Sequence, residues 1–132
     1  MTKSRKSCRK CDTAFKREAV KLREPAGPPA WALEIDPTSP EAHTSFAYAS
    51  THFLWGWGDA EREFAIAISL DPSYSHAHHW HSHFLMARGR VAESLAASPR
   101  ALELDPVGVI INVHLAWHYW VARQYDECAE QC

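Results

Sequence analysis

A six-residue phrase recurs three times in this chain. Ala32-Leu33-Glu34-Ile35-Asp36-Pro37 returns as Ala67-Ile68-Ser69-Leu70-Asp71-Pro72 and again as Ala101-Leu102-Glu103-Leu104-Asp105-Pro106. Asp36, Asp71 and Asp105 fall 35 and then 34 residues apart. A period near 34 belongs to a repeated two-helix unit, in which each unit buries its apolar face only by stacking on the next. Each phrase reads as a helix end: spaced apolar residues, an aspartate, then a proline that cannot continue the helix. The expected fold is all-α.

Size and charge narrow the function. A chain of 132 residues forms one domain and buries about two-thirds of its unfolded surface. A net charge of −2 exerts no global pull toward nucleic acid or membrane. The charge is uneven, however. Lys3, Arg5, Lys6, Arg9, Lys10, Lys16, Arg17, Lys21 and Arg23 stand against Asp12 and Glu18 within residues 1–23, which leaves the remainder acidic. No apolar run has the length of a membrane span, and the basic start lacks the apolar stretch of a signal peptide. The expected compartment is the cytoplasm, with four reduced cysteines.

Punctuation places the elements. Residues 1–12 are polar and aperiodic, a composition that favours disorder. Residues 13–24 suit a short helix with an apolar stripe of Phe15, Ala19, Val20 and Leu22. Residues 25–29 are a proline–glycine linker. The basic tail is thus expected over 1–29 and the repeat array over 30–132. The array divides into a partial repeat 30–37, repeats 38–72 and 73–106, and a truncated repeat 107–132. Thr38-Ser39-Pro40-Glu41 reads as a cap with proline in the first turn, opening a helix to about residue 54. Asp59 is the expected cap of the next helix. The next helix is expected to start at Ser73 or Ser75 and to end at Arg88-Gly89, with others over about 91–104, 109–122 and 125–132.

Residues 30–132 resemble the tetratricopeptide repeat. Ala60, Phe64, Ala67 and Pro72 match the family's second-helix positions in the first full repeat, with Phe46 and Ala47 on the first helix. Gly89, Ala101 and Pro106 match in the second repeat, and Leu115, Ala116, Tyr119 and Tyr125 in the third. The resemblance implies a right-handed stack of antiparallel helix pairs, an α-solenoid whose groove takes a protein partner. Trp55-Gly56-Trp57, Ala77-His78-His79-Trp80 and Ile110-Ile111-Asn112 are similar in wording to repeats attached to bacterial winged-helix or kinase signalling proteins. There are departures too. Ser94 and Ser98 replace the expected alanine and aromatic residue. Pro99 lies inside a helix, at a cost of about 3 kcal/mol. The third repeat lacks its proline and a polar cap, as in a fragment of a longer protein. At the N-terminus, Lys3-Ser4-Arg5-Lys6 and Phe15-Lys16-Arg17-Glu18-Ala19-Val20-Lys21-Leu22 resemble the opening of the insertion-sequence transposase helix-turn-helix subunit.

Histidines are the residues that most invite a chemical role. His76, His78, His79, His81 and His83 crowd one stretch of helix, and His76, His79 and His83 share a face. In the tetratricopeptide pattern that face lines the groove, whereas His78 and His81 point toward neighbouring helices. His79/His83 and His114/His118 have the spacing of zinc-chelating pairs, yet no nearby acid supplies a third ligand. Cys8/Cys11 and Cys128/Cys132 have the spacing of half-sites; the expected state of all four is a free thiol. No nucleophile elbow, phosphate-binding glycine loop or apolar carboxylate pair is present. The chain therefore reads as non-enzymatic, without cofactor or metal.

The sequence thus points to a groove of Tyr48, His52, His76, His79, His83, Ile110, Val113, Trp117 and Trp120, holding a peptide or helix from a protein partner. The alternative is a DNA-associated protein using the basic N-terminus, with weak, salt-sensitive contacts to phosphate. Self-association is expected at the uncapped C-terminal end. Because three close histidines favour an acidic ligand when charged, affinity is expected to rise as pH falls from about 8 toward 6.

Overall fold

Seven α-helices succeed one another in the computed structural model, which describes residues 30–131. They are α1 (Ala30–Ile35), α2 (Pro40–Ala49), α3 (Trp57–Leu70), α4 (Ser75–Ala87), α5 (Val91–Leu104), α6 (Val109–Val121) and α7 (Tyr125–Gln131). No strand occurs among the described residues. The basic tail, its expected helix over 13–24, the transposase-like segment and Cys8, Cys11 and Cys132 lie outside them. Helix α2 packs on α3, α4 on α5 and α6 on α7, while α2 meets α4 and α4 meets α6 across successive pairs. This is an all-α helical repeat.

Small residues set the spacing. Ala47, Ala60 and Ala67 are fully buried and Ala116 nearly so, which lets backbones approach where larger side chains would separate them. Phe64, Phe84 and Leu85 fill the core beside Ala47 and Ala60, with Trp57, Trp80 and Ala97 packed against it. The alanine positions expected from the repeat pattern are therefore among the buried positions of the stack.

The helix ends follow the recurring phrase. Asp36 accepts hydrogen bonds from the Thr38 backbone N–H (2.9 Å) and hydroxyl (2.7 Å). Asp71 does the same with Ser73, at 2.8 and 2.6 Å. These bonds hold both carboxyls below the usual range and close the turn into the next helix. A second recurrence sits six residues beyond each proline. His43 Nε2 and His78 Nε2 each donate to a proline carbonyl, of Pro37 and Pro72, at 2.9 Å, and Asn112 Nδ2 donates to that of Pro106 at 3.2 Å.

Two helix boundaries differ from the sequence-based expectation. Asp59 does not cap α3: the helix begins two residues earlier with Gly56 at the cap position, and Asp59 pairs with Arg62 at 3.0 Å. Helix α2 reaches residue 54 only by widening into a π turn over Ser50–Leu54. Trp55 comes next, in the left-handed region at φ 57°, with the Gly56 N–H returning to the Ser50 carbonyl at 3.0 Å.

Candidate functional site

The two contacts between successive helix pairs are built differently, and that difference creates the polar part of the site. At the first contact Phe64 of α3 meets Phe84 of α4, ring centroids 5.8 Å apart. One period later the corresponding residues are Ser98 of α5 and His118 of α6. Their contact is a hydrogen bond of 3.0 Å. The apolar pair has been exchanged as a unit for a polar pair. Ser94, standing where the first repeat has Ala60, is fully buried with them.

Proton positions are set by the acceptors available. Ser98 Oγ donates to the Ser94 carbonyl at 2.8 Å and Ser94 Oγ to the Ser82 carbonyl at 2.7 Å. Both hydroxyl protons are thus committed, so His118 Nδ1 is the donor to Ser98. His118 Nε2 is then the bare nitrogen, 3.5 Å from His83 Nδ1. His83 stacks on His114 with centroids 4.9 Å apart, and His114 Nδ1 lies 3.1 Å from His79 Nε2. Four imidazoles therefore stitch α4 to α6.

Burial keeps this ladder uncharged. His79 and His118 are 2 % and 1 % exposed. Desolvation, followed by the neighbouring rings, lowers His79 to about 3 and both His83 and His118 to about 4. Burial lowers His114 as well. The expectation that His79 and His83 gain charge between pH 8 and 6 is therefore corrected: dehydrated rings that touch one another resist protonation. No group of three His, Cys, Asp or Glu among the described residues is arranged to hold a metal ion.

The open part of the site lies beside the ladder. A groove of about 560 Å³ between α2 and α4 is lined by Thr44, Ser45, Tyr48, Ala49, Phe53, Tyr74, His76 and Trp80. Tyr48 stacks on His52 at 4.1 Å and meets the edge of Trp80 at 4.5 Å. His52 continues to His83 at 6.0 Å, and His83 to Trp117 at 5.2 Å. An aromatic band thus runs across α2, α4 and α6.

The residues expected to form one groove fall into three settings. Tyr48 and His76 line the groove, with His52 beside Tyr48. His79 is buried between α4 and α6, beneath any surface a partner touches, and His83 is half-buried in the band. Ile110, Val113, Trp117 and Trp120 are exposed along α6. Phe53, Tyr74 and Trp80 belong to the groove, and His114 and His118 to the ladder, yet none of the five stands out from helical faces alone. The sequence does carry a signal for His118: a histidine one period after Phe84 accompanies a serine one period after Phe64.

No family model matches the chain, and no curated protein sequence matches it. Solved structures of MamA, a protein of tetratricopeptide-repeat fold, do match. One crystal structure of MamA aligns with a TM-score of 0.65 at 18% identity, covering 75% of this chain and 57% of its own. A second reaches 0.67 at 17% identity, covering 89% and 66%. The structure described as MamA MSR-1 C2 gives 0.61 at 15% identity, covering 90% and 64%. At these identities the likeness establishes the fold, and the chain spans 57% to 66% of the length of those proteins.

Proposed function

We propose that this chain is a non-enzymatic protein-interaction module that holds a partner peptide or helix against the face formed by α2, α4 and α6. The observation that carries the reading is the continuous aromatic band, with Phe53 and Trp117 51% and 41% exposed at its edges. Large rings left in water beside a groove are the anchors from which peptide interfaces draw most of their energy. The wording of the repeats further supports service within a larger bacterial regulatory protein.

The test is a random-peptide display selection against the whole chain, followed by calorimetry of the enriched peptides. Tyr48→Ala and Trp117→Ala are expected to weaken binding at least about tenfold, or about 1.4 kcal/mol. Glu103→Ala, on the exposed side of α5, is expected to change it little. Selected peptides that ignore both aromatic substitutions would remove the band from the interface.

A further inference from the structure

We infer that this chain associates head to tail: α6 and α7 of one copy stack against α1 and α2 of the next, continuing the helical repeat across the junction. The inference concerns the two ends of the stack and goes beyond the peptide-binding reading above.

The tail is bare at positions that are covered elsewhere in the stack. Val113 and Trp120 share one face of α6 and stand one period after His79 and Met86 of α4. His79 and Met86 are 2% and 6% exposed, whereas Val113 and Trp120 are 55% and 59% exposed. For His79 the cover is α6 itself, since His114 Nδ1 lies 3.1 Å from His79 Nε2. Beside Val113 a groove of about 600 Å³ is walled by Val107, Val109, Asn112 and Gln131. Helix α6 contains no aspartate, glutamate, lysine or arginine, so covering it strips water from no such ion. The head is bare too. Ala67 and Ala101 are buried, but Ala32, their counterpart in α1, is only half-buried. Ser45, the counterpart of His114 in α2, is exposed.

Register singles out a second copy as the occupant. Helix α3 runs over Trp57–Leu70. Tyr125–Gln131 of α7 holds the positions of Trp57–Glu63, and Ala30–Ile35 of α1 holds those of Ala65–Leu70. The first half of a second helix and its second half thus lie at opposite ends of the described stack, with one position between them. Each half already packs on one of the two neighbours that a second helix has here: α7 on α6, and α1 on α2. Another copy therefore brings to the tail both the complementary half-helix and the first helix that follows it, in phase. Ser45 of the next copy then meets Val113 as His114 meets His79. The two faces differ, so the contact is heterologous and leaves each assembly open at both ends.

Sedimentation of the whole chain over a concentration series is expected to show a mass that grows past that of a dimer, as open association requires. Val113→Glu at the tail and Ser45→Glu at the head both replace exposed side chains, and circular dichroism of each confirms that the helices are retained. Each variant alone is expected to raise the concentration for half-assembly at least about tenfold. Mixed in equal amounts, the two are expected to form a dimer and nothing larger. The intact tail of the Ser45→Glu copy fits the intact head of the Val113→Glu copy. A chain carrying Val113→Glu and Ser45→Lys together is expected to regain assembly, because opposite charges then meet across the junction. A wild-type chain that stays monomeric over the whole range would overturn the inference. So would association that stops at a dimer and ignores Ser45→Glu, the result of α6 pairing with α6 about a two-fold axis. A mixture that stays monomeric would overturn the head-to-tail order. A double variant no better than Val113→Glu alone would overturn the register.

Discussion

Arg123 carries a conformational cost that its counterpart one repeat earlier avoids, and the Ser98–His118 pair carries a polar contact that its counterpart replaces with an apolar one. Helices α4 and α6 end in the same motif: a left-handed residue, then an amide returning to the helix. The Arg90 N–H reaches the Leu85 carbonyl at 2.9 Å, and the Gln124 N–H reaches that of Tyr119 at 2.9 Å. The left-handed position holds Gly89 at φ 75° in one and Arg123 at φ 61° in the other. A side chain there costs about 1 kcal/mol or more relative to glycine. Arg123→Gly is therefore expected to raise the melting temperature by a few degrees. Gly89→Ala is expected to lower it, although an added Cβ at Gly89 meets nothing within 4 Å. Opposite or null shifts in both variants would sink this account. The Ser98–His118 pair offers a sharper test, because the same chain contains its apolar counterpart at Phe64–Phe84. Ser98→Phe alone drives a ring into His118, and His118→Phe alone strips Ser98 of its partner; each is expected to cost about 1–3 kcal/mol. Made together they restore the apolar contact of the first repeat, so the double variant should be more stable than the two single losses predict. Strict additivity in chemical denaturation would show that the two positions are not coupled.

At the scale of elements, proline and the recurrent aspartates make the helix ends legible, because they act within one or two residues of themselves. The start of α3 is harder to place from sequence because Asp59 and Gly56 are both plausible caps, and only packing chooses between them. The π turn over Ser50–Leu54 leaves no sequence signal at all. It inserts about one extra residue in a turn, which rotates the rest of the helix by about 100°, and a strict 3.6-residue wheel cannot place Phe53 beyond it. That is why Tyr48 and His76 are legible as groove residues while the rest of the α2 wall, Phe53 included, is not. His79 escapes a sequence reading for a different reason: facing the groove and being covered by His114 are compatible in a stack, and a wheel describes one helix only. Helix α5 carries the remaining anomaly, since Pro99 lies inside it. Its ring crowds the Leu95 carbonyl and removes that carbonyl's N–H partner. Pro99→Ala is expected to stabilise the protein by about 1–3 kcal/mol, read as a higher denaturant midpoint at unchanged slope. An unchanged or lower midpoint would show that α5 has already relaxed around the proline.

Across the whole molecule, the second contact between helix pairs is polar where the first is apolar, so its strength depends on keeping imidazoles neutral. His79, His83 and His118 titrate at about 3, 4 and 4 when folded, against about 6.5 in the unfolded chain. Between those values the unfolded chain binds more protons than the folded one. Stability is therefore complete above about pH 6.5 and falls as pH drops toward 4. Burial lowers His114 and His81 too, which adds to the effect in the same direction. Each histidine removes at most about 1.4 kcal/mol per pH unit, and mutual repulsion spreads the protonation over several rings. Asp36, Asp71 and Glu93 have lowered values as well, but carboxylates titrate lower, so the interval from about pH 6.5 to 5 belongs to the imidazoles. Urea unfolding is expected to give a level free energy between about pH 8 and 7, then a decline matching uptake of roughly two to three protons. The double variant Ser98→Phe/His118→Phe removes one ring from the ladder and should lose about one proton from that slope while remaining folded. A wild-type free energy that stays level down to about pH 5 would mean that the rings reach water, and that α4 and α6 are held together by something other than this ladder.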